Sequence, residues 1–276
     1  MESRISRNRY ELIFSPTRVG AMALRYFYLL RGSWPRYLEL AYWPTVQMIL
    51  WGFITEFLST NSSYVGQAFG VLLSAVLLWD VMFRGQLGVS ISFFEEMWSR
   101  NLGHLFVSPL RPYEMILALT AMSLVRTIIG IVPASILAIV FFDYSVYGLG
   151  LSLVAFFVNL LVMGWAVGLI VAGMVLRFGL GAESLAWVAI FALAPISGIY
   201  YPISVLPSWL QVVAQALPSS YVFEGMRSII RDGVVLTEHM VIAGMLNVIY
   251  LVIGALIFLA FFRSARVKGL LLGVGE

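Results

Sequence analysis

Few side chains in this sequence could do chemistry, and three of them lie where an apolar chain makes charge costly. Asp80 and Arg84 stand four residues apart inside a long apolar run, acid before base, the orientation that favours an i, i+4 pair on a helix. Arg126 sits inside the next run. If the first of these runs ends as a helix near Phe94 and the second begins near Met115, Asp80 lies about 21 Å and Arg126 about 17 Å from those ends, at a rise of about 1.5 Å per residue. The three charges can therefore meet. A charge inside a bilayer is expensive unless paired or wetted, so the cluster has two readings. It is an ion pair that locks two helices, or it holds one uncompensated arginine that attracts an anionic head group.

Other chemistries lack their residues. The chain has no cysteine and two histidines, His104 and His239, neither in an HExxH helix, so thiolate catalysis and a metal site are not expected. The single lysine, Lys268, stands in Val-Lys-Gly and no GxxxxGK[ST] loop exists, so the chain is not expected to hydrolyse ATP or to carry a cofactor of its own. Asp80 is the one carboxylate well inside an apolar run, which is thin equipment for an intramembrane lipid-modifying enzyme. An energy-independent transporter, the other alternative, would be expected to show an inverted repeat, and none stands out.

The elements that must position these residues follow from composition. Of 276 residues, 61% are hydrophobic and 11% charged, against roughly 45–50% and about 25% in soluble domains, and the mean hydropathy is +0.94. The fold class is an all-α polytopic membrane protein. Apolar runs near 38–58, 65–94, 115–142, 146–176, 184–202 and 240–262 give six spans within a transmembrane domain over 37–263. Residues 1–36, with seven arginines and two acids, form a cytosolic N-terminal segment, and 264–276 a cytosolic tail. With the N-terminus inside, cytosolic segments hold thirteen Lys or Arg and external ones only Arg227 and Arg231, so the net charge of +3 reflects membrane orientation rather than nucleic acid. Pro207 and Pro218 leave too few residues between them for a seventh span, so 203–231 is expected to be a re-entrant helical hairpin in the outer leaflet. Within it Glu224 and Arg227 are spaced to pair.

Two further segments are amphipathic. Residues 16–33, opening on Ser15-Pro16, place Met22, Tyr26, Leu29 and Leu30 on one side and Arg18 and Arg25 on another, the pattern of an interfacial helix or of one packed on its own protein. Between spans two and three, Trp98, Leu102, Leu105 and Phe106 follow i, i+4, i+7, i+8 spacing until Pro109 stops the helix, predicted over about 96–109. That stripe is buried against the chain's own helix ends or inserted into a groove of a partner. Tyr42, Trp43, Trp51, Trp79, Tyr200, Tyr201 and Tyr221 are read as interfacial or packing aromatics, and Gly164 and Gly168 as a GxxxG packing motif.

The run from Glu95 to Ile116 resembles the coupling helix of type-2 ABC transporter permeases: Glu95, Glu96, Arg100, Leu102, Leu105, Ser108, Pro109 and Leu110 match, while Asn101 stands where a glycine is usual. A second series, Ser197-Gly198, Tyr201-Pro202, Leu206-Pro207, Leu210, Leu217-Pro218, Tyr221 and Arg227, is similar to the family's Ser-Gly, Phe-Pro, Leu-Pro and Pro-Tyr-Arg order. The resemblance implies a permease subunit of an ABC exporter in a bacterial inner membrane, paired with a second copy or a paralogue. Two separate ATP-binding subunits, which hold the ATP and Mg, would dock on the coupling helix (Glu95, Glu96, Trp98, Arg100, Leu102, Leu105, Phe106, Pro109). A drug, lipid, polysaccharide or similar amphipathic cargo would pass between spans one, two and five of the two halves. The outer gate would comprise Ser197, Gly198, Tyr201, Pro202, Pro207, Pro218, Tyr221 and Arg227.

Overall fold

Four helices in the computed structural model are long and apolar enough to cross a membrane: α3 (Phe69–Trp98), α5 (Pro112–Phe142), α6 (Leu151–Phe178) and α10 (Thr237–Val267). The structure describes residues 14–61 and 69–268, and among these there is no strand. The remaining helices are α1 (Pro16–Arg31), α2 (Trp34–Asn61), α4 (Leu102–Val107), α7 (Leu185–Leu193), α8 (Ser208–Gln215) and α9 (Pro218–Asp232). At 28 residues α2 is long enough to cross, but Arg36, Glu39, Pro44, Gln47 and Glu56 make it the more polar of the long helices.

The centre of the bundle is α3, buried along nearly its whole length. It packs against both α6 and α5, while α10 packs on α6 and α2 on both α5 and α3. Close approach of α6 to α3 depends on glycine. A Cβ at Gly164 would stand 2.6 Å from the Met82 carbonyl oxygen, and one at Gly168 2.8 Å from that of Gln86, so the GxxxG motif is an intrachain seam. Polar side chains fasten the other contacts: Ser123 donates to the Gly85 carbonyl at 2.8 Å across α5 and α3, and Asn247 on α10 donates to Asn159 on α6 at 2.8 and 2.9 Å. Such bonds hold helices together where the hydrophobic effect between apolar surfaces is weak.

Several element boundaries differ from the sequence reading. The fifth expected span, 184–202, is helical only over Leu185–Leu193. Pro195 has no N–H to continue the ladder, and Gly198 turns the chain with φ +67. Helix α3 runs on through Trp98, so the expected helix over 96–109 is reduced to the six residues of α4. Residues 203–231, expected as a re-entrant hairpin, hold two helices, α8 and α9, which begin at Pro207 and Pro218.

Candidate functional site

At the end of the bundle that carries α1 and α4, arginines from three helices converge on two adjacent glutamates of a fourth. Glu95 and Glu96 close α3. Glu95 accepts from Arg126 of α5 at 3.2 Å and pairs with Arg36 of α2 at 3.3 Å. Glu96, buried, pairs with Arg25 of α1 at 2.8 Å and accepts from the Asn101 side chain at 2.7 Å. A second carboxylate fixes the start of α1: Glu114, the third residue of α5, takes Arg18 in a fork at 2.8 and 2.6 Å, together with the backbone N–H groups of Ser15 and Arg111 at 2.9 Å each. The fork raises the pKa of the Arg18 guanidinium. Met22, Tyr26 and Leu30 are buried beneath α1, while Leu29 is exposed, so this helix is packed on its own protein on one face.

The intramembrane cluster assembles differently from expectation. Asp80 and Arg84 do pair, at 2.6 Å. Arg126 instead reaches Glu95, since that carboxylate at the end of α3 is within its span and Asp80 is already taken by Arg84. Both arginines nevertheless line one cavity of about 540 Å³ bounded by α2, α3, α5 and α7. Its aromatic wall is Phe83, Trp187 and Phe191, with ring centroids 5.9 to 6.4 Å apart, and Trp98, also in the lining, donates to Glu183 at 3.0 Å.

The apolar stripe of the α3–α5 connection turns inward. Leu102 is 1% exposed and Leu105 packs against the core, so these two residues anchor α4 to the chain's own helix ends. Trp98 is the last residue of α3, on the other side of the turn, and Phe106 continues the α4 backbone. What α4 offers outward is His104, Val107, at 89% exposure, Ser108 and Pro109. Arg100 forms the turn between α3 and α4 in the left-handed conformation, φ 52, and the Asn101 N–H caps the Glu96 carbonyl at 3.0 Å.

At the opposite end, residues from the second sequence series meet in space. Arg227 of α9 donates to the carbonyl oxygens of Gly198, Ile199 (3.3 Å) and Tyr201 (2.8 Å) and pairs with Glu224 at 3.3 Å. Ser219 donates to Ser197 at 2.9 Å, the Tyr201 hydroxyl to the Pro195 carbonyl at 2.6 Å, and the Ile203 N–H to Glu224 at 2.8 Å. Breaking α7 leaves carbonyls without helical donors, and Nη2 of Arg227 supplies one to all three. Pro202 opens the short turn Ile203–Val205, and Tyr221 packs edge-on to His239. His104 and His239 lie at opposite ends of the bundle.

The sequence model described as ABC-2 type transporter matches residues 23–230, from the middle of α1 to the end of α9. The chain belongs to the ABC-2 type transporter family. It is therefore a multi-pass membrane protein and a permease component of an ABC transporter, a family that works with an ABC ATP-binding subunit. No curated protein matches it. In this permease the two acids of the first motif are the junction of α1, α2, α3 and α5, and the arginine of the second is the clamp of a broken helix. Sequence reading did not single out Glu114 or Arg36. For Glu114 the available signal was its place three residues after Arg111 at the start of α5, the position at which a glutamate reaches back to the N-cap.

Proposed function

We propose that the chain is the membrane subunit of an ATP-driven exporter that moves an amphipathic substrate from the cytosol or inner leaflet outward through a bacterial inner membrane. Helices α2, α3, α5, α6, α10 and α7 with the irregular stretch to 202 make six crossings. The α1–α4 end is cytosolic with both termini, and α8–α9 is a re-entrant outer gate. Two ATP-binding subunits, which carry ATP and Mg, dock on α4 and α1, and a second copy or paralogue completes the path along α2, α3 and α7. The observation that carries this reading is the Glu95–Glu96 junction. It ties the turn before α4 to α1, α2 and α5, so a displacement of α4 by a closing ATPase pair is passed to the helices that wall the cavity.

The test is assembly. The C-terminally tagged protein, extracted from its native membrane in mild detergent, is expected to bring down a soluble ATPase in equal copy number. The substitution V107D is expected to lose that partner at unchanged melting temperature, because Val107 is exposed. The substitution L102D would instead unseat α4, since Leu102 is buried. Absence of any ATPase across several mild detergents overturns the reading.

A further inference from the structure

Arg84 is 7% exposed, and its hydrogen bond among the described residues runs from Nε to Asp80 at 2.6 Å, which leaves the two terminal nitrogens without a protein acceptor there. The guanidinium is held in place from behind. It lies over Gly130 of α5, where a Cβ would stand 2.6 Å from its Cζ, and it forms part of the cavity lining. Fourteen residues of α3 separate Arg84 from Trp98, which places it about 21 Å in from the α4 end of that helix.

Three arginines, Arg36, Arg84 and Arg126, contact two carboxylates, Asp80 and Glu95, because Glu95 is shared between Arg36 and Arg126. Arg126 also keeps a buried Nε without an acceptor. The lining also holds Glu39, exposed, and Glu183, which accepts from the Trp98 indole, so three lining arginines face three lining carboxylates. Beside the free nitrogens of Arg84 rises the wall of Phe83, Trp187 and Phe191. The two terminal nitrogens of a guanidinium without a protein acceptor, lining a cavity with an aromatic wall, suit a group that accepts two hydrogen bonds and carries one negative charge on an apolar body. A volume of about 540 Å³ is that of a site for one drug-sized molecule, since such pockets measure about 300–1,000 Å³.

The geometry points to Arg84, backed by Arg126, as the binding site for the carboxylate or phosphate of a monoanionic amphiphile whose apolar part lies on Phe83, Trp187 and Phe191. This rests on the exporter reading and specifies its cargo. The anionic group belongs either to a small soluble molecule or to the head of a lipid.

The experiment measures binding of 2-naphthoate, a monoanionic aromatic probe, to the full-length protein in phosphatidylcholine nanodiscs, followed by quenching of tryptophan fluorescence. Saturable binding is expected, at least tenfold tighter than that of the neutral 2-naphthalenemethanol. D80N/R84Q, which removes both partners and leaves no lone buried charge, is expected to abolish that preference. L87W, which fills the cavity and leaves the Asp80–Arg84 pair intact, is expected to weaken both probes. Competition by phosphatidylglycerol in the nanodisc assigns the head group to a lipid, and competition by inorganic phosphate alone assigns it to a soluble anion. Equal affinity for the charged and neutral probes, or an undiminished preference in D80N/R84Q, overturns the assignment. Co-purification of the ATPase, scored on the same preparations, fails independently if the exporter reading itself is wrong.

Discussion

Arg100 and Tyr26 each carry a local cost that the rest of the fold outweighs. Arg100 adopts the left-handed conformation, φ 52, at the turn that ends α3, where a side chain is disfavoured by about 1 kcal/mol relative to glycine. The family resemblance puts a glycine in this turn one residue later, at Asn101, whereas the backbone demands it at Arg100. The variant R100G is expected to raise the melting temperature in detergent by a few degrees, a gain of about 1 kcal/mol, and an unchanged or lower value would contradict the turn geometry. The Tyr26 hydroxyl is fully buried under α1 without a hydrogen-bond partner among the described residues, and burial pushes its pKa well up. Removing an unsatisfied buried hydroxyl without changing the ring costs nothing in packing, so Y26F is expected to be neutral or to stabilise by about 1 kcal/mol in the same assay.

At the scale of elements, two carboxylate–arginine anchors hold the pieces that sequence periodicity alone would leave adrift. Glu114 accepts from Arg18, Ser15 and Arg111, so E114Q is expected to release the start of α1, seen as faster amide exchange over residues 15–22 at a cost of about 2 kcal/mol. Retained protection there would show that Met22, Tyr26 and Leu30 alone hold the helix. The substitution R227K keeps the charge but not the planar guanidinium whose Nη2 reaches three carbonyls while its Nη1 faces Glu224, and it is expected to lower the melting temperature substantially, by about 2 kcal/mol or more. The long helices were legible because apolar length is a one-dimensional signal. So was Asp80–Arg84 as a pair, because it depends on residues close in sequence. The pairing of Arg126 with Glu95 and of Arg18 with Glu114 was not. Each joins positions 31 and 96 residues apart, and several acids compete for each base until the helices are placed. The inward turn of Leu102 and Leu105 was equally hidden, since a stripe fixes which residues share a face but not what covers it.

The whole molecule is a bundle with two chemically distinct ends joined through α3. One end gathers Arg18, Arg25, Arg36, Glu95, Glu96 and Glu114 around the exposed tip of α4, and the other clamps a broken helix through Arg227. Between them a cavity reaches inward from the α4 end to Arg84. Export by an external motor requires that the α4 end face the cytosol and be covered by the ATPase. The chain has no cysteine, so single introduced thiols report on this directly. The decisive measurement is labelling of V107C and S204C by a membrane-impermeant maleimide, in intact cells and in opened membranes with and without the ATPase. The account expects S204C to be labelled in intact cells, and V107C only in opened membranes and only when the ATPase has been stripped. Labelling of V107C from outside intact cells, or equal labelling with the ATPase bound, would contradict it.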